Sequence, residues 1–417
     1  MISFVCLVVV VAVLQFYLVG RQSGVLKKNR NEVPNYFRQK IKIEAHQKSI
    51  DYSLVKLNLQ KYTIFVEMVL MLVFTIFGGL NLVAYLASTV VQQPGILRDI
   101  LLILLFSFFN YLLTLPLTVY SIFGIETQFG FNNMAPKLFL RDQVKGLILG
   151  AIFLIPITFV VLYLLRWIGS MWWFYTWLVW IGLSLFLLWI YPKWIAPIFN
   201  TFKPLEDEVL KSRIEGLLRR TGFQSDGIFV MDGSKRSGHA NAYFSGFGKN
   251  KRIVFFDTLL KDMNPEEVEA ILAHELGHFK LKHVLKQMAG LFLLALVVLY
   301  VLGLLINSPK FYLGLGVEFE HISNGMGLLL FFLVLPVFTF ILSPLSSVAS
   351  RKNEYEADRF ATEVTSADDL ISALVKLYSS NASSLVTDKF YSFFYDSHPN
   401  AEDRIVALES TKKENDR

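Results

Sequence analysis

The sequence predicts an all-α polytopic membrane protein with seven transmembrane helices and a small α+β domain at the inner membrane face. Three observations predict it. The chain is 54% hydrophobic and only 18% charged over 417 residues, with a mean hydropathy of +0.47. Its apolar residues fall in blocks of roughly 20, the length that crosses a bilayer. Lys and Arg concentrate in every second intervening segment, the bias that orients membrane proteins.

Taken in order, the predicted spans lie near residues 1–20, 62–88, 100–123, 146–166, 171–191, 286–306 and 326–346. The first has no charged start and no small-residue cleavage site before Arg21, so it reads as a retained span rather than a secretion signal. Spans four and seven contain Pro156 and Pro336. A bundle tolerates both because neighbouring helices satisfy the freed backbone groups. With the N-terminus outside, segments 21–61, 124–145, 192–285 and the tail from 347 lie inside and carry 10, 3, 14 and 9 Lys plus Arg. The three outside loops carry only Arg98, Arg166 and Lys310. This bias accounts for the net charge of +6 without a nucleic-acid partner, and makes a lipid bilayer the implied partner. The one cysteine, Cys6, falls in the first span, which excludes a disulfide framework or a cysteine metal site within one chain.

The chain therefore divides into spans one to five with a basic inside loop at 21–61 (1–191), a polar inside segment (192–285), spans six and seven (286–346) and an inside C-terminal segment (347–417). Residues 205–223 have helical apolar spacing, 227–234 read as a strand ending in a turn, and 241–260 read as two strands joined by a Gly/Lys/Asn turn. At "MNPEEVEAILAHELGHFK" a helix start is well signalled: Asn264 as N-cap, Pro265 at the first helical position and Glu267 completing a capping box. This helix is predicted to run on into span six. Residues 349–364 continue span seven as a helix, and another follows near 366–378. The loop 21–61 is predicted as part helix on the membrane face, and the final "STKKENDR" as disordered.

His274 and His278 in "HELGH" are four residues apart, so on a helix they share a face and can bind one Zn²⁺. Glu275 between them stands beside the metal and can take a proton from an attacking water. The bland alternative is an amphipathic helix with two satisfied surface histidines. A catalytic zinc needs a third ligand. Spans six and seven form an antiparallel pair, which returns "NEYEAD" to the side of the bilayer that carries HELGH. Glu354, Glu356 and Asp358 then come within reach. Glu354 and Asp358 share a helix face, so one can ligate while the other orients a histidine, and spacing leaves open which does which. A solvated charged face is the competing explanation. His283 reads as a membrane-interface residue, and His321 falls in an outside loop. The roles of His46, His239 and Glu67 stay open.

At these residues the chain resembles the type 1 CAAX prenyl proteases, integral-membrane zinc metalloproteases. The resemblance rests on separate blocks in order: "IETQFGFN" (125–132), "APIFN" (196–200), "DGSKRSGHANAYFSGFGKNKRIVFFDTLL" (232–260), "HELGH" (274–278), "NEYEAD" (353–358) and "SHPNAEDRI" (397–405). It implies a ring of seven helices around a large chamber, with a zincin-like domain over it. It also implies that His274, His278 and Glu354 hold one Zn²⁺ per chain, with Glu275 as the base and Asp358 supporting the ligands. By the same resemblance His398 would stabilise the oxyanion, Arg404 would support that region, and Asn241 and Ala242 would line the substrate. The substrate implied is the C-terminal tripeptide of a prenylated CAAX protein or peptide.

Two departures bear on substrate and membrane. The loop between spans six and seven is short, about 19 residues, and the tail carries no obvious endoplasmic-reticulum retention signal. Both suit a prokaryotic relative, so the membrane implied is the plasma membrane in a prokaryote and the endoplasmic reticulum in a eukaryote, with the site on the cytoplasmic side. The first alternative function is quality-control cleavage of membrane proteins, as in HtpX-type proteases. The second, of another class, is an inactive scaffold or a transporter. Against it stand an intact ligand-and-base set and the lack of paired charges deep in the spans.

Overall fold

Apolar runs in lipid must satisfy their own backbone groups, which makes helices the default. The computed structural model, which describes residues 1–246 and 251–415, follows that rule closely. The chain begins with α1 (Ile2–Asn29), α2 (Ile43–Phe74), α3 (Gly79–Val90), α4 (Ile96–Val119), α5 (Pro136–Trp167), α6 (Trp172–Ile190) and α7 (Ala196–Phe199). Wide π-helical turns, Tyr120–Glu126 and Tyr191–Ile195, prolong α4 and α6. A polar region follows: β1 (Phe202–Pro204), α8 (Glu208–Thr221), β2 (Ile228–Met231), β3 (Ala242–Ser245), β4 (Arg252–Phe256), α9 (Asp257–Asp262) and α10 (Pro265–Lys280). The rest is α11 (His283–Leu305), α12 (Pro309–Gly314), α13 (Asn324–Val364), α14 (Ala367–Ser380), α15 (Lys389–Tyr395) and α16 (Ala401–Asn415).

Seven of the described helices are long and apolar enough to cross a membrane. Each packs on the next around a circuit: α1 on α2, α2 on the π turn of α4, α4 on α5, α5 on α6, α6 on α11, α11 on α13, and α13 back on α1; α4 also packs on the start of α13, through Leu102, Met326, Leu329 and Leu330. Only 6–17% of the residues in the apolar windows of the second to sixth spans are buried. A filled bundle would cover the whole inner stripe of each helix, so this ring is not filled by side chains. That agrees with the expected hollow ring.

Several sequence expectations need correction. The apolar run 62–88 is not one span: α2 starts at Ile43 and ends at Phe74, Gly78 turns the chain at φ 79, and α3 runs separately. The loop 21–61 is mostly the extended ends of α1 and α2. Its turn buries Val33, Phe37 and Ile41 in the core of the polar domain. α10 does not run into span six: Lys282 takes φ 60, a left-handed conformation rare outside glycine, and breaks the helix before His283. The tail is helical through Asn415, where disorder was expected; the last two residues lie outside the description. The expected Gly/Lys/Asn turn falls on 247–250, also outside the described residues.

Spans six and seven meet at one end rather than along their length. Away from the sheet, Leu302, Ile306, Leu328 and Phe331 share one apolar cluster. Gly327 allows that approach, since a Cβ there would come within 2.8 Å of Ile306 Cγ1. At the other end α10, not α11, packs on α13. The four strands form one sheet in the order β1-β2-β4-β3. β1 pairs antiparallel with β2, β2 parallel with β4, and β4 antiparallel with β3. β3 is therefore an edge with one unpaired side. One core joins the sheet to α8, α10, α14 and α16 through Ile214, Phe255, Leu272, Leu374 and Ile405.

Candidate active site

The site is built on α10, and its start is fixed locally. Asn264 N–H donates to Glu267 Oε2 at 2.8 Å, closing the expected capping box. Glu267 is buried and also accepts from Ser372 at 2.7 Å and Lys376 at 2.7 Å, which ties the helix start to α14. Burial alone would push its carboxyl up, but the Lys376, Asn264 and Ser372 hydrogen bonds hold it below the usual carboxylate range. Glu269, two residues on, is also buried and is held by Arg213 at 3.0 Å and Arg220 at 2.7 Å from α8. Nearly all of α10 from Glu267 to Gly277 is buried, with Glu275 half-buried. This is a core helix, not an amphipathic surface helix that happens to carry two histidines.

Gly277 decides how closely α10 crosses α13. A Cβ there would lie 3.0 Å from both Ala357 Cα and Ala357 O. Ala357 sits between Glu354 and Asp358, so this crossing brings both carboxylates to the histidines. His274 Nε2 lies 3.2 Å from His278 Nε2 and 3.5 Å from Glu354 Oε2. His278 Nε2 lies 3.2 Å from Glu354 Oε1. One ligand atom from each of the three residues falls within 4.8 Å of the others, so the three could hold a metal ion.

Asp358 serves the other nitrogen. Its Oδ1 lies 2.8 Å from His274 Nδ1, so a proton on that nitrogen leaves Nε2 with a free lone pair. Arg404 grips Asp358 through two 2.7 Å hydrogen bonds and is itself buried. Burial disfavours its charge, but the Asp358 carboxylate outweighs that and raises its pKa further. For His274, burial and the Arg404 guanidinium disfavour a charged ring, yet hydrogen bonds to Asp358 and Glu354 win and push its pKa up to about 9.

Glu354 Oε2 fits a cation. It is buried with no hydrogen-bond partner of good geometry, and His398 Nδ1 at 2.8 Å and Arg404 Nη2 at 3.5 Å face it. Two facing imidazole nitrogens and a buried carboxylate oxygen are a metal-binding donor set. His398 is largely exposed, with 63% of its side chain accessible. Glu275 has no side-chain hydrogen bond or ion pair among the described residues. Asn241 and Ala242 stand at the head of β3; Asn241 is exposed and its Oδ1 accepts from Ala242 N at 2.8 Å.

Sequence reading named Glu356 as within reach but missed its pairing with His283 behind His278. His283 was expected at the membrane interface, but it is 1% exposed and its Nδ1 lies 3.1 Å from His278 Nδ1. Its Nε2 lies 3.0 Å from Glu356 Oε2. The pair thus stands behind His278 as Asp358 and Arg404 stand behind His274. The signal that could have found it was HELGH followed by a further His, read without assuming an unbroken helix. His239 bonds Glu126 and stacks on Phe131, and His46 Nε2 lies 2.8 Å from Asn29 O. Glu67 is exposed on α2.

With this geometry established, relatives place the chain. Residues 22–201 match the CAAX prenyl protease N-terminal family of five membrane helices, and residues 204–412 match peptidase family M48. A CAAX prenyl protease 1 homolog from Dictyostelium discoideum is 36% identical over 411 residues, covering 95% of each chain. CAAX prenyl protease 1 from Saccharomyces cerevisiae is 32% identical, covering 96% of this chain and 93% of its own. The crystal structure of S. mikatae Ste24p superposes with a TM-score of 0.91 at 30% identity, covering 97% of this chain and 98% of its own. The chain belongs to peptidase family M48 as a member of the type 1 CAAX prenyl proteases: it is a multi-pass membrane metalloprotease whose substrate is a peptide or protein.

Proposed function

We propose that this enzyme is a zinc endopeptidase that removes the C-terminal tripeptide of prenylated CAAX proteins or peptides. The observation that carries the reading is the convergence of His274, His278 and a buried Glu354 carboxylate on one crossing of α10 and α13, in the domain that also presents the free edge of β3. Two imidazole nitrogens and one carboxylate oxygen suit zinc, one ion per chain, with a position left open. A zinc ion there supplies Lewis acidity, polarising the scissile carbonyl and making water nucleophilic at neutral pH.

The chain's own residues do the rest. Glu275, with no competing partner among the described residues, takes the proton of the attacking water and passes it to the leaving amine. His398 donates to the oxygen that gains charge as the carbonyl is attacked. Asp358 fixes the tautomer of His274, and Arg404 fixes Asp358. Asn241 and Ala242 hold the peptide extended against β3. Residues 192–285 and 347–417, with the turn that carries Val33, Phe37 and Ile41, form the peptidase unit, and the rest of 1–191 with 286–346 forms the ring. The Lys and Arg bias supports a cytoplasmic site facing away from the outer loops, in the plasma membrane of a prokaryote or the endoplasmic reticulum of a eukaryote. The substrate class follows the relatives, which are CAAX prenyl proteases.

The test presents a farnesylated CAAX peptide and its unprenylated twin to purified protein in detergent, with Glu275→Ala as control. Preferential cleavage of the farnesylated peptide, lost in the variant, supports the proposal. Equal cleavage of both moves the enzyme to membrane-protein quality control. A protein that cuts neither and binds no zinc returns the scaffold reading.

A further inference from the structure

A pocket of about 600 Å³ opens between α1, α2, the segment after α14 and the residues leading into β3. It is lined by Gln22, Tyr52, Lys56, His239, Asn381 and Tyr391, among others. Lys56 is its one lysine, and no carboxylate lines it among the described residues. The peptidase chemistry does not use this pocket.

Its polar groups are already organised. Tyr52 donates its hydroxyl to Glu126 Oε1 at 2.6 Å, and His239 Nε2 lies 3.1 Å from Glu126 Oε2. Glu126 therefore spends both oxygens on holding these two side chains. Lys56 Nζ donates to the Tyr52 hydroxyl at 3.3 Å and lies 4.9 Å from the Tyr52 ring centre. An ammonium has three donors, so others stay available.

The pocket also stands in register with the edge strand. Asn381 accepts from Ala240 N at 2.8 Å and donates to Ala240 O at 3.1 Å, clamping the chain just ahead of Asn241. An extended peptide on the free side of β3 must send one end toward this clamp. Of the two ends, only the C-terminus is drawn by a cation in a site without lining carboxylates. That sense runs the peptide antiparallel to β3, a sound backbone pairing. His239 stands three positions before Ala242, about 10 Å of extended chain, the reach of three residues beyond a scissile bond.

We propose that this pocket receives the free C-terminal carboxylate of the substrate peptide and that Lys56 pairs with it. The inference rests on the peptidase reading above and deepens it: the enzyme measures three residues back from a free chain end. Lys56 is then a specificity residue, not merely one more basic side chain near a membrane surface.

The experiment compares a farnesylated CAAX peptide ending in a free carboxylate with the same peptide ending in an amide. Wild type, Lys56→Met and Lys56→Arg are assayed, each checked for zinc content and thermal unfolding. The wild type is expected to favour the acid by about tenfold or more in kcat/KM, chiefly through KM, as loss of a charge-assisted hydrogen bond requires. In Lys56→Met the acid-to-amide ratio falls toward one because the KM of the acid rises, and Lys56→Arg restores much of it. A wild type that cuts acid and amide equally overturns the inference while leaving the peptidase reading intact. So does a Lys56→Met variant that keeps the preference, or one that loses both activities together. A wild type that cuts neither peptide removes the peptidase reading, and this inference with it.

Discussion

Replacing Gly277 with alanine tests whether the crossing distance of two helices sets the metal site. The new Cβ would meet Ala357 Cα and O at 3.0 Å each and Phe360 Cδ1 at 3.2 Å. The first two are backbone atoms, so no rotamer change relieves them. Comfortable carbon contacts begin near 3.5 Å, so α10 and α13 must part by about 0.5 Å. Overpacking of this kind costs about 1–3 kcal/mol. The separation acts at Ala357, directly between Glu354 and Asp358, so it draws a candidate ligand and its neighbour's support away from the histidines together. Disturbing such support weakens metal binding by about 10–100-fold. The assay is zinc competition against a chromophoric chelator, paired with thermal unfolding in detergent, for wild type, Gly277→Ala and Gly277→Ser. Weaker zinc binding and a lower midpoint are expected, larger for serine. Unchanged affinity and an unchanged midpoint in both variants would refute the argument that this glycine holds the site together.

Three further predictions follow from the same geometry. His283→Phe preserves bulk but removes the partner of His278 Nδ1, and zinc affinity should fall about 10–100-fold with the helical circular dichroism intact; full affinity would mean the His278–His283 contact is incidental. Arg404→Met leaves the Asp358 carboxylate, only 3% exposed, without its two-bonded partner. A broken buried pair costs about 3–5 kcal/mol, read as a lower unfolding midpoint in protein prepared without zinc. Glu267 supplies the pH dependence. Its folded pKa is depressed, so its contribution is fully present above the unfolded carboxylate pKa and is lost as pH falls through the folded value. Glu267→Gln should be less stable than wild type at pH 7, by about 1–3 kcal/mol, and the gap should narrow in acid; a gap constant with pH would contradict it.

Much of this molecule is written locally in its sequence. Helix periodicity, run length and the Asn264–Pro265–Glu267 cap depend on residues within one or two turns, so the spans and the start of the HELGH helix were legible. The four-residue spacing of His274 and His278 is likewise a property of any helix. Hydropathy could not see the helix break at Gly78 because the residues on both sides are equally apolar. The three-residue β1, ending in Pro204, gave no signal of its own because pairing with β2 makes it a strand. A single left-handed Lys282 was enough to hide His283, since an unbroken helix would have carried it to another face.

The sequence by itself determined how many helices are long and apolar enough to cross a membrane, where the HELGH helix starts and which residue types could bind a metal. Tertiary structure decided which carboxylate faces which histidine. Spacing left Glu354 and Asp358 interchangeable, and the close crossing of α10 over Ala357 at Gly277 separates them: Glu354 meets both Nε2 atoms, while Asp358 meets Nδ1 of His274. Periodicity and capping are set within a few residues of chain, whereas that pairing depends on the angle and distance between two helices some 80 residues apart in sequence, which only the packed core fixes.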